Sequence, residues 1–296
     1  MEIFEAWPIF SLVFVGLLGL LVGSFLNVVA YRIPIMMERA WRAQCADLQS
    51  QPFAPPPHVV GDSRFDLWWP PSACPGCGKP IAALHNVPVI SWLALRGRCA
   101  GCRITISPRY PVVETAAGLL ALAVAYVFGP TWQTVAALGF SWTLLALTLI
   151  DLDHKLLPDS LTLPLLWAGL LVNAVPINGA WLFTNLQSSV LGAAGGYLAL
   201  WSVYQLFKLA TGKEGMGYGD FKLLAAIGAW VGWQMLPLVI LLSAVVGSLV
   251  GISMIVFAGR SSQTAIPFGP YLAAAGWIAL LWGEPIVEFY GALLTR

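Results

Sequence analysis

Charge is what this sequence has least of. Only 10% of its residues are Asp, Glu, Lys or Arg, against 58% hydrophobic. A soluble domain of 296 residues needs far more charge to stay in solution, which excludes the soluble globular classes. Net charge is +1 and no basic stripe runs along the chain, so no nucleic-acid partner is expected. Histidine is nearly missing. His58, His85 and His154 are the three present, none in an H-E-x-x-H pair and none near a nucleophile elbow. Zinc-protease and Ser/His/Asp chemistry therefore have no candidate residues. The glycine-rich stretch near residue 217 is followed by neither a P-loop lysine nor a serine, which discounts nucleotide binding. The first apolar run lacks the basic flank and small-residue cleavage site of a secretory signal, and is read as a retained helix.

What is present is a series of long apolar runs. A spanning helix needs about 20 mostly apolar residues, and candidates fall near 9–31, 111–129, 132–150, 160–177, 186–207, 221–233, 236–258 and 266–283. The expected fold is an all-α polytopic membrane protein of about eight transmembrane helices. Basic residues test the layout, because cytoplasmic loops collect Lys and Arg. Nine lie between Arg32 and Arg109, and Lys155, Lys208, Lys213, Lys222 and Arg260 fall on the same side; only Arg296 falls opposite. Both termini are thus placed outside the cytoplasm.

Three domains are expected: a first transmembrane helix over 1–31, a cytoplasmic segment over 32–110, and a transmembrane domain over 111–296. The cytoplasmic segment starts amphipathically ("IPIMMERAWRAQ"), passes a proline-rich stretch and then carries two C-x-x-C pairs, Cys74/Cys77 and Cys99/Cys102. Two such knuckles bring four thiolates to one tetrahedral centre, which suits zinc in a zinc-ribbon-like insertion after the first helix. Two disulfides are the alternative, and the reducing cytoplasm disfavours them. Four sulfurs leave no open coordination position, so the site is read as structural. Cys45 stands alone as an ordinary thiol.

Carboxylates in or beside membrane spans are costly and usually functional or capping. Asp151, Asp153, Asp159 and Asp220 gather at the cytoplasmic face, and Glu114 sits one turn into the second span. Asp159 follows a proline and precedes an apolar run, the position of a helix cap. Asp151 and Asp153 are two helical steps, about 200°, apart, so only one can face a given cleft. Asp220 ends "GMGYGD", where three glycines exceed what a cap requires. Glycine permits positive φ or close backbone approach, and such a loop can hold an extended peptide beside the carboxylate. Two carboxylates within a few ångströms share one proton, leaving one as general acid and the other as general base, the pattern of aspartic proteases. The competing reading is a membrane transporter with a carboxylate proton relay, which expects acids midway along spans.

The "GMGYGDFKLLAAIGAW" stretch contains the G-x-G-D motif of intramembrane aspartyl proteases, and its extended form resembles the type IV prepilin leader peptidases. The likeness continues through "GLLVGSFLNVVAYRIP", "CPGC…CAGC", "ISPRYPVVE", "LIDLDHKLLPDSLTLPLLW" and "PFGPYLAAAGW", in order along most of the chain. The resemblance implies a bacterial inner-membrane enzyme with its active site at the cytoplasmic face. It implies cleavage of the basic leader from type IV prepilins and type II secretion pseudopilins after a glycine. It implies N-methylation of the new terminus, usually phenylalanine, from S-adenosylmethionine. Carried onto this chain, the catalytic aspartates are Asp151 and Asp220, with Gly217 and Gly219 completing the loop. The metal cysteines are Cys74, Cys77, Cys99 and Cys102, and the region near Gly97 is associated with methyl transfer. Expected partners are prepilin substrates and membrane lipid.

Overall fold

A computed structural model describes residues 8–49, 64–177, 179–258 and 266–294. Arg260 and Arg296 of the charge tally, the start of the first domain and the proline run near residue 55 lie outside the described residues. Among the described residues every element is helical, apart from isolated bridges. The chain divides into two compact units, 1–125 and 126–296.

In the first unit, α1 (Pro8–Gln49) is a single 42-residue helix that runs through Pro34. At 1.5 Å per residue it is about 63 Å long, roughly twice a hydrocarbon core of ~30 Å. The membrane helix and the amphipathic start of the expected cytoplasmic segment are therefore one continuous rod. A short helix α2 (Ile90–Ala94) follows the first cysteine pair, and α3 (Arg109–Phe128) leads back to the apolar region. Gly19 and Gly23 of α1 lie on Ala117, Gly118 and Glu114 of α3, where an added Cβ would sit 2.8 Å or less from backbone atoms. Small residues are what let two membrane helices approach this closely.

The second unit holds α4 (Trp132–His154), α5 (Asp159–Val172), α6 (Leu186–Thr211), α7 (Tyr218–Val231), α8 (Leu236–Ala258) and α9 (Gly269–Leu294). Each of the eight expected spans lands on a helix, but among the described residues six helices are long and apolar enough to cross a membrane. The exceptions are α5 and α7, of 14 residues each. Fourteen residues reach about 21 Å, short of the ~30 Å core. Hydropathy marked them as spans because they are apolar; it carried no information on where the helix stops.

The central element is α7, buried on nearly every face from Asp220 to Val231, as a helix apolar all round should be. It packs on α5, α6 and α9. Against α6 the contact is backbone to backbone: a Cβ on Gly192 would collide with the Gly228 carbonyl, and one on Gly196 would meet the Leu224 carbonyl at 2.6 Å. Because α5 and α7 stop early, their last carbonyls need partners inside the protein. Asn173, fully buried just past α5, donates through Nδ2 to the Ala229 and Trp230 carbonyls at 3.0 and 3.2 Å. Its Oδ1 accepts the Thr184 N–H at 3.2 Å, and Ser189 Oγ donates to the Ala229 carbonyl. Trp230 Nε1 donates to the Leu165 carbonyl at 2.8 Å, tying α7 to α5 along their length.

Candidate active site and metal centre

Asp151 lies in the last turn of α4 and is 5% exposed; Asp153, two residues on, is exposed. Helix rotation separates them as the 200° step requires, and Asp151 is the buried one of the two. Asp220, 8% exposed, lies in the first turn of α7, its N–H donating to the Gly217 carbonyl at 3.2 Å. The two carboxyls are near enough for Asp151 to act electrostatically on Asp220. Leu157, in the link between α4 and α5, fills the space beside both residues. A Cβ on Gly219 would lie 2.8 Å from the Leu157 Cβ, and one on Gly269 3.1 Å from its Cδ2.

Sequence reasoning gave Gly269 no role, although "PFGPY" was among the resembling motifs. Its N–H, at the start of α9, donates to Asp151 Oδ2 at 3.0 Å. A side chain there would stand 2.7 Å from that oxygen, so only glycine brings the amide close enough. That contact orients one of the two Asp151 carboxylate oxygens.

The glycine loop serves close approach rather than unusual backbone angles. None of Gly215, Gly217 and Gly219 has positive φ. Gly215 rests on the Phe207 ring, where a Cβ would be 2.8 Å from Cδ1, and Gly219 rests on Leu157. Gly217 is open except for Asp220 Oδ2 at 3.8 Å from a would-be Cβ, leaving room beside the carboxylate. The loop is fastened at its start by Lys208, which bonds Glu214 at 2.8 Å and the Tyr204 hydroxyl at 3.3 Å. The Lys208 side chain holds the Glu214 carboxyl below its usual range.

The capping role expected of Asp159 is corrected. The cap of α5 is Pro158, with no side-chain hydrogen bond, and Asp159 already lies in the first turn. Both Asp159 oxygens accept from Lys222 Nζ at 2.7 Å, linking α5 to α7 two residues after Asp220. Proline in extended backbone starts the helix without a capping side chain, which frees the aspartate for the lysine. Glu114 is buried in α3 and accepts the Val89 N–H at 2.7 Å. Val89 is a β-branched residue at φ 59°, a conformation rarely seen for such side chains.

The four cysteines converge. Their sulfurs all lie within 4.8 Å of one another, with Cys74 Sγ 3.7 Å from Cys102 Sγ and none in a disulfide. A tetrahedral ion with bonds of about 2.3 Å to sulfur, the length zinc takes, sets sulfur–sulfur separations near ~3.8 Å. The two knuckles share one hydrogen-bond register. Cys74 N–H donates to Lys79 O and Gly78 N–H to Cys74 O; Cys99 N–H donates to Ile104 O and Arg103 N–H to Cys99 O. Each hairpin turns through a left-handed residue, Gly78 at φ 68° and Arg103 at φ 62°. The N–H groups of Cys102 and Gly101, with Cys74, pull the Cys99 thiol down to about 6. The Cys102 thiol, despite the Ile104 N–H, is pushed up to about 11 by burial and its three sulfur neighbours. Four crowded thiols resist full ionisation on their own, and a divalent cation removes that obstacle.

Residues 17–128 match the bacterial peptidase A24 N-terminal domain, and residues 138–252 match the type IV leader peptidase family. Similar proteins include a prepilin leader peptidase/N-methyltransferase of Aeromonas hydrophila, 56% identical over 96% of this chain and 94% of the relative. Proteins of the same name from Stutzerimonas stutzeri and Pseudomonas aeruginosa are 57% and 55% identical, over 92% and 93% of this chain and 91% of each relative. No solved structure matches.

Proposed function

The chain belongs to the type IV leader peptidase family, and on that premise we propose that it is a prepilin leader peptidase and N-methyltransferase of the bacterial inner membrane. It cuts prepilins and pseudopilins at the cytoplasmic face and methylates the amine so released. The observation that carries the peptidase reading is two buried aspartates from different helices within electrostatic reach, one oriented by a backbone amide. Their place at helix ends, not midway along spans, also disfavours a proton relay.

Asp151 and Asp220 share one proton. The unprotonated carboxylate takes a proton from water, and the hydroxyl forms a bond to the scissile carbonyl carbon. The protonated carboxyl donates to the carbonyl oxygen. A carboxyl proton then passes to the amide nitrogen as the C–N bond breaks, a hydroxyl of the tetrahedral diol returns its proton to the other carboxylate, and the pair ends again with one proton. The Gly269 N–H holds Asp151 in register throughout. The open side of Gly217 is where an extended substrate backbone lies against Asp220.

Zinc is the ion proposed for Cys74, Cys77, Cys99 and Cys102, where it supplies cross-links between the knuckles. Elemental analysis should find one zinc per chain, and Cys99→Ser should lower it to near zero. Acidification should release zinc, because protons compete for thiolate. Zinc content unchanged in Cys99→Ser would exclude the tetrad as its site.

S-adenosylmethionine is the methyl donor this reading requires. The residues beside Gly97 do not fit its sulfonium cation, because the cleft there is lined by three guanidinium groups and no carboxylate. Gly97 itself, at φ 66°, lies on the Trp92 indole, 2.9 Å from a would-be Cβ.

Mass spectrometry of a prepilin co-expressed with the chain tests both activities. The expected product has lost its leader at the glycine and gained one methyl group. A cleaved but unmethylated product would remove the second activity, and an intact prepilin would remove both.

A further inference from the structure

Arg96, Arg98 and Arg103 line one cleft of ≈ 560 Å³ beside Cys99. Among the described residues none of their side chains makes an ion pair or hydrogen bond. Between residues 64 and 110 the sole acid is Asp66, and Arg64 and the N–H groups of Trp68 and Trp69 already engage it. Three guanidiniums around one space repel each other, and no acid among the described residues of this segment is left to offset that repulsion.

Two of the three also stand in backbone that disfavours them. Arg96 is at φ 51° and Arg103 at φ 62°, the region where glycine is at ease. The matching position of the other knuckle is Gly78. Strain of this kind persists where surrounding structure or function requires it. Here the strained residues are two of the three arginines that line the cleft.

The cleft is of ligand size. Its lining includes Ala94 and Leu95 but no aromatic ring to stack a base and no acidic side chain to receive a cation or ribose. Ile90 and Leu93, on the helix leading to it, are exposed, as is Ile104; α2 buries none of its residues. Arg103 stands six residues before the start of α3. Six residues reach at most about 22 Å, so the cleft lies within that distance of the start of a membrane helix. Cations converging on a pocket, with apolar side chains exposed next to it, match a molecule with an anionic head and a hydrocarbon tail.

We propose that Arg96, Arg98 and Arg103 form a binding site for the phosphate of an anionic phospholipid from the leaflet that α3 enters. Guanidinium forks suit phosphate oxygens, and Ile90 and Leu93 meet the acyl region. The site is independent of the peptidase reading and adds a lipid contact that holds the cysteine-bearing segment against the membrane surface.

The test uses the full chain in neutral detergent, with phosphatidylglycerol or phosphatidylcholine added, reading the thermal unfolding midpoint. Phosphatidylglycerol should raise the midpoint by about 4 °C more than phosphatidylcholine does. Arg96→Gln/Arg98→Gln/Arg103→Gln should abolish that difference. Arg103→Gly should raise the midpoint in phosphatidylcholine, because the strain is relieved, while shrinking the phosphatidylglycerol increment. Native mass spectrometry should count one fewer retained phosphatidylglycerol in the triple variant. An undiminished increment in both variants overturns the proposal. So does an equal increment from inorganic phosphate, which would make the cleft a site for free anions. Should the triple variant not fold, the single Arg103→Gly substitution decides alone.

Discussion

Asp220→Asn is expected to lower prepilin cleavage by about 10²–10⁴-fold while leaving the chain folded and inserted. Asparagine keeps the shape of the side chain but can neither share nor pass a proton. The Asp220 N–H to Gly217 bond is main-chain and survives the change. Asp151→Asn should behave alike, because its amide oxygen can still accept from Gly269, at 3.0 Å in the parent. The double variant should be no worse than either single one, since a shared-proton pair works as a unit and its losses do not add. Cleavage in detergent, followed by the mass of the product, measures all three. Near-parental cleavage by either single variant would take that aspartate out of the mechanism. Losses that multiply would mean the two carboxyls act separately.

The second large effect is expected away from the chemistry. Gly192→Val places methyl groups where the Gly228 carbonyl already lies, within collision distance of a Cβ. The neighbour is main chain in the most buried helix, so it cannot turn aside as a side chain would. The change should cost more than about 3 kcal/mol and yield aggregated protein on size exclusion. Gly195→Ala, on the same helix, is the control. Its Cβ would meet only the tip of Leu236 at 3.3 Å, so a monodisperse protein with a near-parental midpoint is expected. A folded Gly192→Val variant would show that α6 and α7 are not held at the separation described.

Much of this was legible in the residues. Eight apolar runs became eight helices, because sustained hydropathy is a direct record of a nonpolar surrounding. The cysteine spacing foretold convergence, because a C-x-x-C turn has little freedom in where it aims its sulfurs. Asp151, Asp153, Asp159 and Asp220 stood out together because carboxylates are rare in such surroundings, and the family resemblance alone singled out Asp151 and Asp220 among them. What was not legible depends on distances between segments far apart in the chain. Gly269 has no signal except its place in "PFGP"; its worth appears only with Asp151 beside it, 118 residues away. Asp159 looked like a cap because caps are local, whereas its partner Lys222 is 63 residues on. The loop glycines suggested positive φ or close approach; close approach is what they serve, to Phe207 and Leu157, neighbours that sequence order hides. The early end of α7 rests on Asn173, one polar residue whose side chain meets carbonyls that a further helical turn would have met.

The brevity of α5 has a consequence for the surrounding lipid. Leu163, Trp167 and Leu171 form an exposed stripe along it, and the helix itself offers the bilayer an apolar height of only about 21 Å. Acyl chains bordering that stripe must shorten, tilt or splay, at a fraction of a kilocalorie per ångström of mismatch. Local thinning of the bilayer beside α5 is the expected consequence, read as a preference for lipids with shorter acyl chains.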